Sequence, residues 1–321
     1  VRGASVGIFG ASGAVGSAAA FALALSGVER LVLADAATPR LAAQRIDLGA
    51  LAAVLPRLEV SVGRLETLAA CDAVVACAAA PHRDGAPREA FLAENAAILA
   101  PLADALADVA DGRRVPAVVL VSNPVDALAT LLQRRLGERA HVLGHTLNDT
   151  LRLRVAIARA RGCEAAEVEA WSVGEHGPHA VPLLSRVRVR GQRVALSACE
   201  RASVREELDG WYARWQRLGT GRTTQWSSGW GVATIVRALL RGDPQPWPVS
   251  IRLGGAWGVE RDVCLSAPAL LGPGAAPRVL AWGIAADERA AIATAADVVA
   301  DACAALTASA VAGAGADGRM P

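Results

Sequence analysis

Fully apolar runs such as Ala117-Val118-Val119-Leu120-Val121 recur through the first half of the chain, each separated from the next by a longer helical pattern. A strand with one face in water alternates apolar and polar residues; these runs do not, so both of their faces must be covered. Residues 5–9, 31–34, 73–78, 117–121 and 141–143 read as strands, and the stretches between them as the crossovers of βαβ units. The expected fold is α/β: a doubly wound parallel sheet of Rossmann type.

After about Gly144 the pattern changes to a long helix over 148–161, shorter runs such as 187–190, and a Pro- and Gly-rich segment over 242–258. This half reads as a mixed α+β domain. With 321 residues there is chain enough for two ordinary domains, expected over 1–144 and 145–321. Residues 287–306 read as a closing helix, and 311–321 as a small, polar, frayed tail.

Composition excludes several function classes. A net charge of +2, with the arginines spread along the chain, is too small for a charge-driven nucleic-acid binder. All 33 basic residues are arginine, so Schiff-base chemistry and a phosphate-binding P-loop lysine are both ruled out. The six cysteines are scattered, with no Cys-x-x-Cys pair and no zinc spacing, as expected of free thiols in a reducing cytoplasm. The apolar stretch over 14–25 is shorter than the roughly 20 residues of a membrane span and follows a strand and a glycine turn, so neither a signal peptide nor a membrane partner is expected.

Gly10-Ala11-Ser12-Gly13-Ala14-Val15-Gly16 falls directly after the first strand and opens a helix. Glycines there allow a tight turn and close backbone approach to a pyrophosphate, whose charge meets the N–H groups of the helix end. Gly10, Gly13 and Gly16 alone are matched by any Gly-rich turn. Asp35, 19 residues beyond Gly16 at the end of the second strand, is spaced to meet the ribose hydroxyls and to repel a 2′-phosphate. NAD is therefore expected over NADP, with Arg40 nearby leaving NADP as the alternative.

Four further segments carry groups suited to reducing a 2-keto acid. Gly174-Glu175-His176-Gly177 supplies an imidazole, whose pKa near neutrality makes both protonation states accessible. Asp149 and Arg152, three apart at the start of the long helix, project from one face. Asn123, in Ser122-Asn123-Pro124-Val125, ends an apolar strand, where open α/β sheets place ligands. Arg88 closes the run from Pro81 through His82, Arg83, Asp84, Gly85, Ala86 and Pro87. Taken singly, each has a plain reading: a structural histidine, an exposed ion pair, an Asn-Pro turn, a solvated loop charge.

Together these segments resemble the lactate/malate dehydrogenase family over nearly the whole chain. The resemblance implies NAD-dependent, reversible oxidation of a small 2-hydroxy acid. It makes His176 the proton carrier and Asp149 its orienting carboxylate. Arg152 becomes the fork for the substrate carboxylate, Asn123 a residue that positions nicotinamide and substrate, and Arg88 the carbonyl-polarising arginine of a closing loop. Thr224, in Thr223-Thr224-Gln225-Trp226, resembles a residue of the far pocket wall.

Six residues ahead of the loop arginine, malate enzymes place a second arginine and lactate enzymes a glutamine; here that position holds His82. Imidazole does not reproduce a bidentate guanidinium fork. Ala79, where the family usually has glycine, and Pro178 beside His176-Gly177 are further departures. Malate/oxaloacetate or a related, less common keto acid is the expected substrate, with lactate behind. A catalytically silent NAD-binding sensor and an NADP-dependent ketone reductase are the alternatives. Gln44-Arg45-Ile46-Asp47-Leu48 resembles a subunit-contact helix of the family, which implies a homodimer or homotetramer.

Overall fold

The computed structural model describes residues 3–81, 83, 88–109, 114–220 and 224–316, with side chains outside 88–90 and 309–316. The first half runs β1 (Ser5–Phe9), α1 (Ala14–Leu25), β2 (Arg30–Ala34), α2 (Thr38–Ala50), β3 (Glu59–Val62), α3 (Leu65–Ala69), β4 (Ala73–Ala76), α4 (Arg88–Ala107), β5 (Ala117–Leu120), α5 (Val125–Leu136), β6 (Val142–His145) and α6 (Leu147–Arg161). Next come β7 (Val168–Glu169), β8 (Ser172–Gly174), β9 (Ala180–Pro182), β10 (Arg188–Val189), β11 (Gln192–Arg193), α7 (Ala198–Gln216) and α8 (Trp226–Arg241). The chain ends with β12 (Trp247–Arg252), β13 (Cys264–Leu270), β14 (Arg278–Val279) and α9 (Ala286–Ala316).

The apolar strands lie where burial on both faces requires them. Every residue of β4, β5 and β6 is buried, and the six parallel strands take the order β3-β2-β1-β4-β5-β6. This is the doubly wound arrangement, with the strand order reversing between β1 and β4, where a crevice opens outside the strand ends. β3 was not legible as a strand because it is an edge: three of its four residues are exposed, so burial leaves no mark on its sequence.

The sheet does not stop at β6. β12 adds to it antiparallel, through Val249 opposite His145 and Ser250 opposite Gly144, and β13, β8 and β9 follow. The Pro- and Gly-rich segment over 242–258 thus contains a strand, β12, whose four central residues are buried. Pro248 and Pro268 face each other across β12 and β13. Neither has an N–H, so the pair occupies a ladder position where no hydrogen bond is exchanged.

A second, smaller core of Leu153, Ala156, Ile157, Val168, Val187, Leu196 and Val204 fixes α6 and α7 against the three-stranded sheet β11-β10-β7. By length and mean hydropathy Ala286–Ala308 is long and apolar enough to cross a membrane. Its Ile292, Ala295, Ala296, Val299 and Cys303 instead join the main core, and Asp297 pairs with Arg261 at 2.8 Å. α9 continues to Ala316, so residues 311–316 of the expected tail are helical, in keeping with their alanine content; residues 317–321 lie outside the described residues.

Candidate active site

Parallel strands bring their C-terminal ends to one edge, and the sequence places its polar groups just beyond those ends. After β1, Gly10 turns the chain at φ +83°, and a Cβ there would lie 2.4 Å from the Ala78 backbone nitrogen. A Cβ on Gly16 would fall 2.1 Å from the Gly10 carbonyl oxygen. The fold itself therefore demands these two glycines. Gly13 differs: it is exposed at the start of α1, and its Cβ would meet only the Gly10 oxygen at 3.4 Å. The open space beside it suits a phosphate approaching the helix N–H groups.

Asp35 borders this cradle after β2. Its carboxylate accepts the Ser12 N–H at 2.9 Å and the Ala37 N–H at 3.0 Å. Partial burial opposes ionisation, but the bonds from Ala37 and Ser12 outweigh it and hold the carboxyl below its ordinary value. A fixed anion thus lies beside the glycine turn. The Gly-loop geometry and this anion fit a dinucleotide that carries no 2′-phosphate.

After β5, Asn123 is exposed and precedes a cis bond to Pro124. Its carbonyl oxygen accepts Asn95 Nδ2 at 2.6 Å, while Asn95 Oδ1 accepts the Ala80 N–H at 2.7 Å. Asn95 is buried in α4 and ties the segments following β4 and β5 together. A lone asparagine in an apolar helix gave no signal of this task in the sequence.

The chemical centre lies beyond β6 and β8. His176 Nδ1 is 2.5 Å from Asp149 Oδ2, and Asp149 Oδ1 is 3.3 Å from Arg152 Nη1. Histidine, aspartate and arginine thus form a continuous row from two segments 27 residues apart. Burial disfavours imidazolium at His176, but the neighbouring carboxylates of Asp149 and Asp126 outweigh it and raise its proton affinity above the ordinary value. Burial likewise opposes the Asp149 anion, yet His176 and Arg152 hold its carboxyl low.

Asp126, in the first turn of α5, is a residue the sequence did not single out. It is 2% exposed and accepts the His176 backbone N–H at 2.6 Å and the Ser250 hydroxyl at 2.5 Å. Burial pushes its carboxyl up to about 6 against those bonds. Glu175, also buried, accepts the His179 N–H at 3.0 Å and bends the loop after His176, leaving His179 exposed at the surface.

His145 is buried at the end of β6 with no partner for either ring nitrogen. Burial and the nearby His176 push it down to about 4, so it is neutral at pH 7. It packs against α8 at Gly231, where a Cβ would lie 2.4 Å from the ring. Thr224 lies just ahead of α8, its Oγ1 3.5 Å from Ser228 Oγ, and Asn148 Nδ2 donates to that same Oγ at 2.8 Å. Thr224 is thereby linked to the helix bearing Asp149 and Arg152.

Arg88 opens α4, the helix that follows β4; its side chain and all of His82 lie outside the described residues. Arg83 pairs with Glu94 at 2.5 Å and lies over the Phe91 ring, so its charge is engaged on α4.

Residues 4–142 match the family described as lactate/malate dehydrogenase, NAD binding domain, and residues 146–309 its α/β C-terminal domain. An L-lactate dehydrogenase of Treponema denticola is 31% identical over 294 residues, covering 88% of this chain and 91% of that protein. A malate dehydrogenase of Halobacterium salinarum is 32% identical over 293 residues, covering 88% and 93%. These near-equal identities do not separate one substrate from the other. In fold, the chain superposes on the Cryptosporidium parvum malate dehydrogenase with a TM-score of 0.84 at 20% identity, covering 96% of this chain and all of that one. The minor L-lactate dehydrogenase of Enterococcus mundtii gives 0.82 at 24%, covering 94% and 98%. The dinucleotide cradle, the His-Asp-Arg row and both domain matches agree, and the chain belongs to the lactate/malate dehydrogenase family of NAD-dependent 2-hydroxyacid dehydrogenases.

Proposed function

We propose that the protein interconverts a small 2-hydroxy acid and its 2-keto acid with His176 as the acid/base, and that the substrate is malate/oxaloacetate or a related keto acid. The 2.5 Å contact between His176 Nδ1 and Asp149 carries this reading. An imidazole whose Nδ1–H is held by a carboxylate exchanges its proton at Nε2, and the same carboxylate stabilises imidazolium. Arg152, on the same helical face, is placed to fork the C1 carboxylate of a substrate whose oxygen meets His176. Asp126 fixes the loop from behind by holding the His176 N–H.

NAD supplies or accepts the hydride. The Gly10–Gly16 turn would seat its pyrophosphate, Asp35 its ribose and, by resemblance, Asn123 its nicotinamide end. In the reducing direction His176 gives its proton to the substrate oxygen, and Arg88, by resemblance, stabilises the charge developing there once its loop excludes water.

His82 stands where, by resemblance, malate enzymes carry arginine and lactate enzymes glutamine, so malate/oxaloacetate comes first with a less common 2-keto acid close behind. The test is turnover of NADH and NADPH with a panel of 2-keto acids including oxaloacetate and pyruvate, on wild type and His82→Arg. Activity with NADH and a raised oxaloacetate-to-pyruvate ratio in the variant are the expected results; no turnover with any member would sink the proposal. Phe21 and Leu25 on α1, Ile46 on α2, and Trp226 and Trp230 on α8 are exposed apolar side chains, and α1 packs on α8. They support a homodimer formed through this face. The six free cysteines fit action in a reducing cytoplasm.

A further inference from the structure

The row of charges does not end at Arg152. Its guanidinium carbon lies 3.7 Å from the ring centroid of Trp211 on α7, and Trp211 stacks on Trp215, one turn later, with centroids 5.6 Å apart and planes 12° from parallel. α7 is anchored independently of this contact. Ser197 and Glu200 cap its N-terminus reciprocally, Val204 enters the smaller core beside Leu153 and Ile157, and Arg161 pairs with Glu200 at 3.0 Å.

A guanidinium presents its N–H groups in one plane and has weakly hydrated faces. Asp149 holds one edge only loosely, since 3.3 Å is long beside the 2.7–2.9 Å of a strong charge-assisted bond. The aromatic face is thus the stronger restraint on the tilt of the plane. It also removes water from one side of a cation whose side chain is already 77% covered, being 23% exposed.

We propose that Trp211 is the positioning residue of the carboxylate anchor: stacked on Arg152 and backed by Trp215, it keeps the guanidinium edge-on to the substrate's C1 carboxylate. This rests on the reading of Arg152 as that anchor. Trp211 itself does not touch the reacting atoms. Its contribution is made equally in ground state and transition state, so its loss falls on KM and leaves kcat.

The experiment compares wild type, Trp211→Phe and Trp211→Leu with NADH and the best 2-keto acid of the panel, alongside thermal unfolding. Trp211→Leu raises KM for the keto acid by about tenfold, equivalent to about 1.4 kcal/mol, with kcat within about twofold and KM for NADH unchanged. Trp211→Phe, which restores a ring face, recovers most of the loss. Trp211 is only half-buried and Val204 is the residue by which α7 enters the core, so both variants fold and unfold cooperatively, with Trp211→Phe at the wild-type temperature and Trp211→Leu a few degrees lower at most. An unchanged KM in Trp211→Leu, or equal impairment in the two variants, overturns the inference while leaving Arg152 as anchor. A wild type inert on the whole panel overturns the reading of Arg152 itself, and the inference with it.

Discussion

Replacing Asp126 by asparagine is expected to stabilise the protein, although the residue touches the catalytic loop. The carboxyl is 2% exposed, and its bonding partners, the His176 N–H and the Ser250 hydroxyl, are uncharged donors. Burial moves its pKa from the ordinary 3.8 to about 6, which corresponds to about 3 kcal/mol lost by the fold when the carboxylate is charged. The sign follows from proton counting. Below pH 3.8 the group is protonated folded and unfolded and contributes nothing. Between 3.8 and 6 the unfolded chain releases the proton first, so stability falls as pH rises; above 6 the whole penalty is present. Asparagine keeps an oxygen for the His176 N–H and offers an NH2 that Ser250 Oγ accepts.

Chemical and thermal unfolding of wild type and Asp126→Asn should then differ by about 1 kcal/mol at pH 4.5 and about 3 kcal/mol at pH 8, a rise in Tm of roughly 5 °C at the higher pH. A variant no more stable than wild type at pH 8, or a difference that ignores pH, would refute the claim that burial strains this carboxylate. The same substitution removes one of the two anions that raise His176, so the pH at which keto-acid reduction declines shifts downward.

The remaining predictions concern the site's other parts. With His176 as the proposed acid/base, the rate of reduction falls as pH rises through that raised value, while oxidation rises over the same range; Asp149→Asn moves both limbs to lower pH and lowers kcat about a hundredfold or more. Gly16→Ala must displace the Gly10 carbonyl and costs about 2 kcal/mol in unfolding, whereas Gly13→Ala folds normally and weakens NADH binding in a fluorescence titration. Equal effects of the two would remove Gly13 from the cradle. Trp230→Glu places charge on the exposed α1/α8 face and should yield a monomer by light scattering; unchanged mass would move the subunit contact elsewhere.

What the sequence made legible is what local chemistry forces. Strands buried on both faces lose all alternation, which is why β4, β5 and β6 were readable and the exposed edge strand β3 was not. The pair Asp149 and Arg152 was readable because one helical turn joins them. Asp126 was not: its partners are a backbone N–H 50 residues away and a hydroxyl 124 residues away, and neither separation leaves a pattern. Asn95, bonded to Ala80 and to Asn123, and Trp211, stacked over a residue of another helix, were hidden for the same reason.

The two aspartates that flank His176 show why such residues matter as much as the motif itself. Both are buried, yet Asp149 is held low and Asp126 is pushed up. The difference lies in their partners: Asp149 faces the imidazole and Arg152, while Asp126 bonds only to neutral donors, so desolvation wins. One carboxylate therefore acts on the ring, bonding Nδ1 and raising its proton affinity, as the proposed acid/base role of His176 needs. The other acts on the backbone, where it holds the His176 N–H at a cost to stability. A histidine held only at the ring would keep its proton affinity but not its place, and hydride transfer requires both at once.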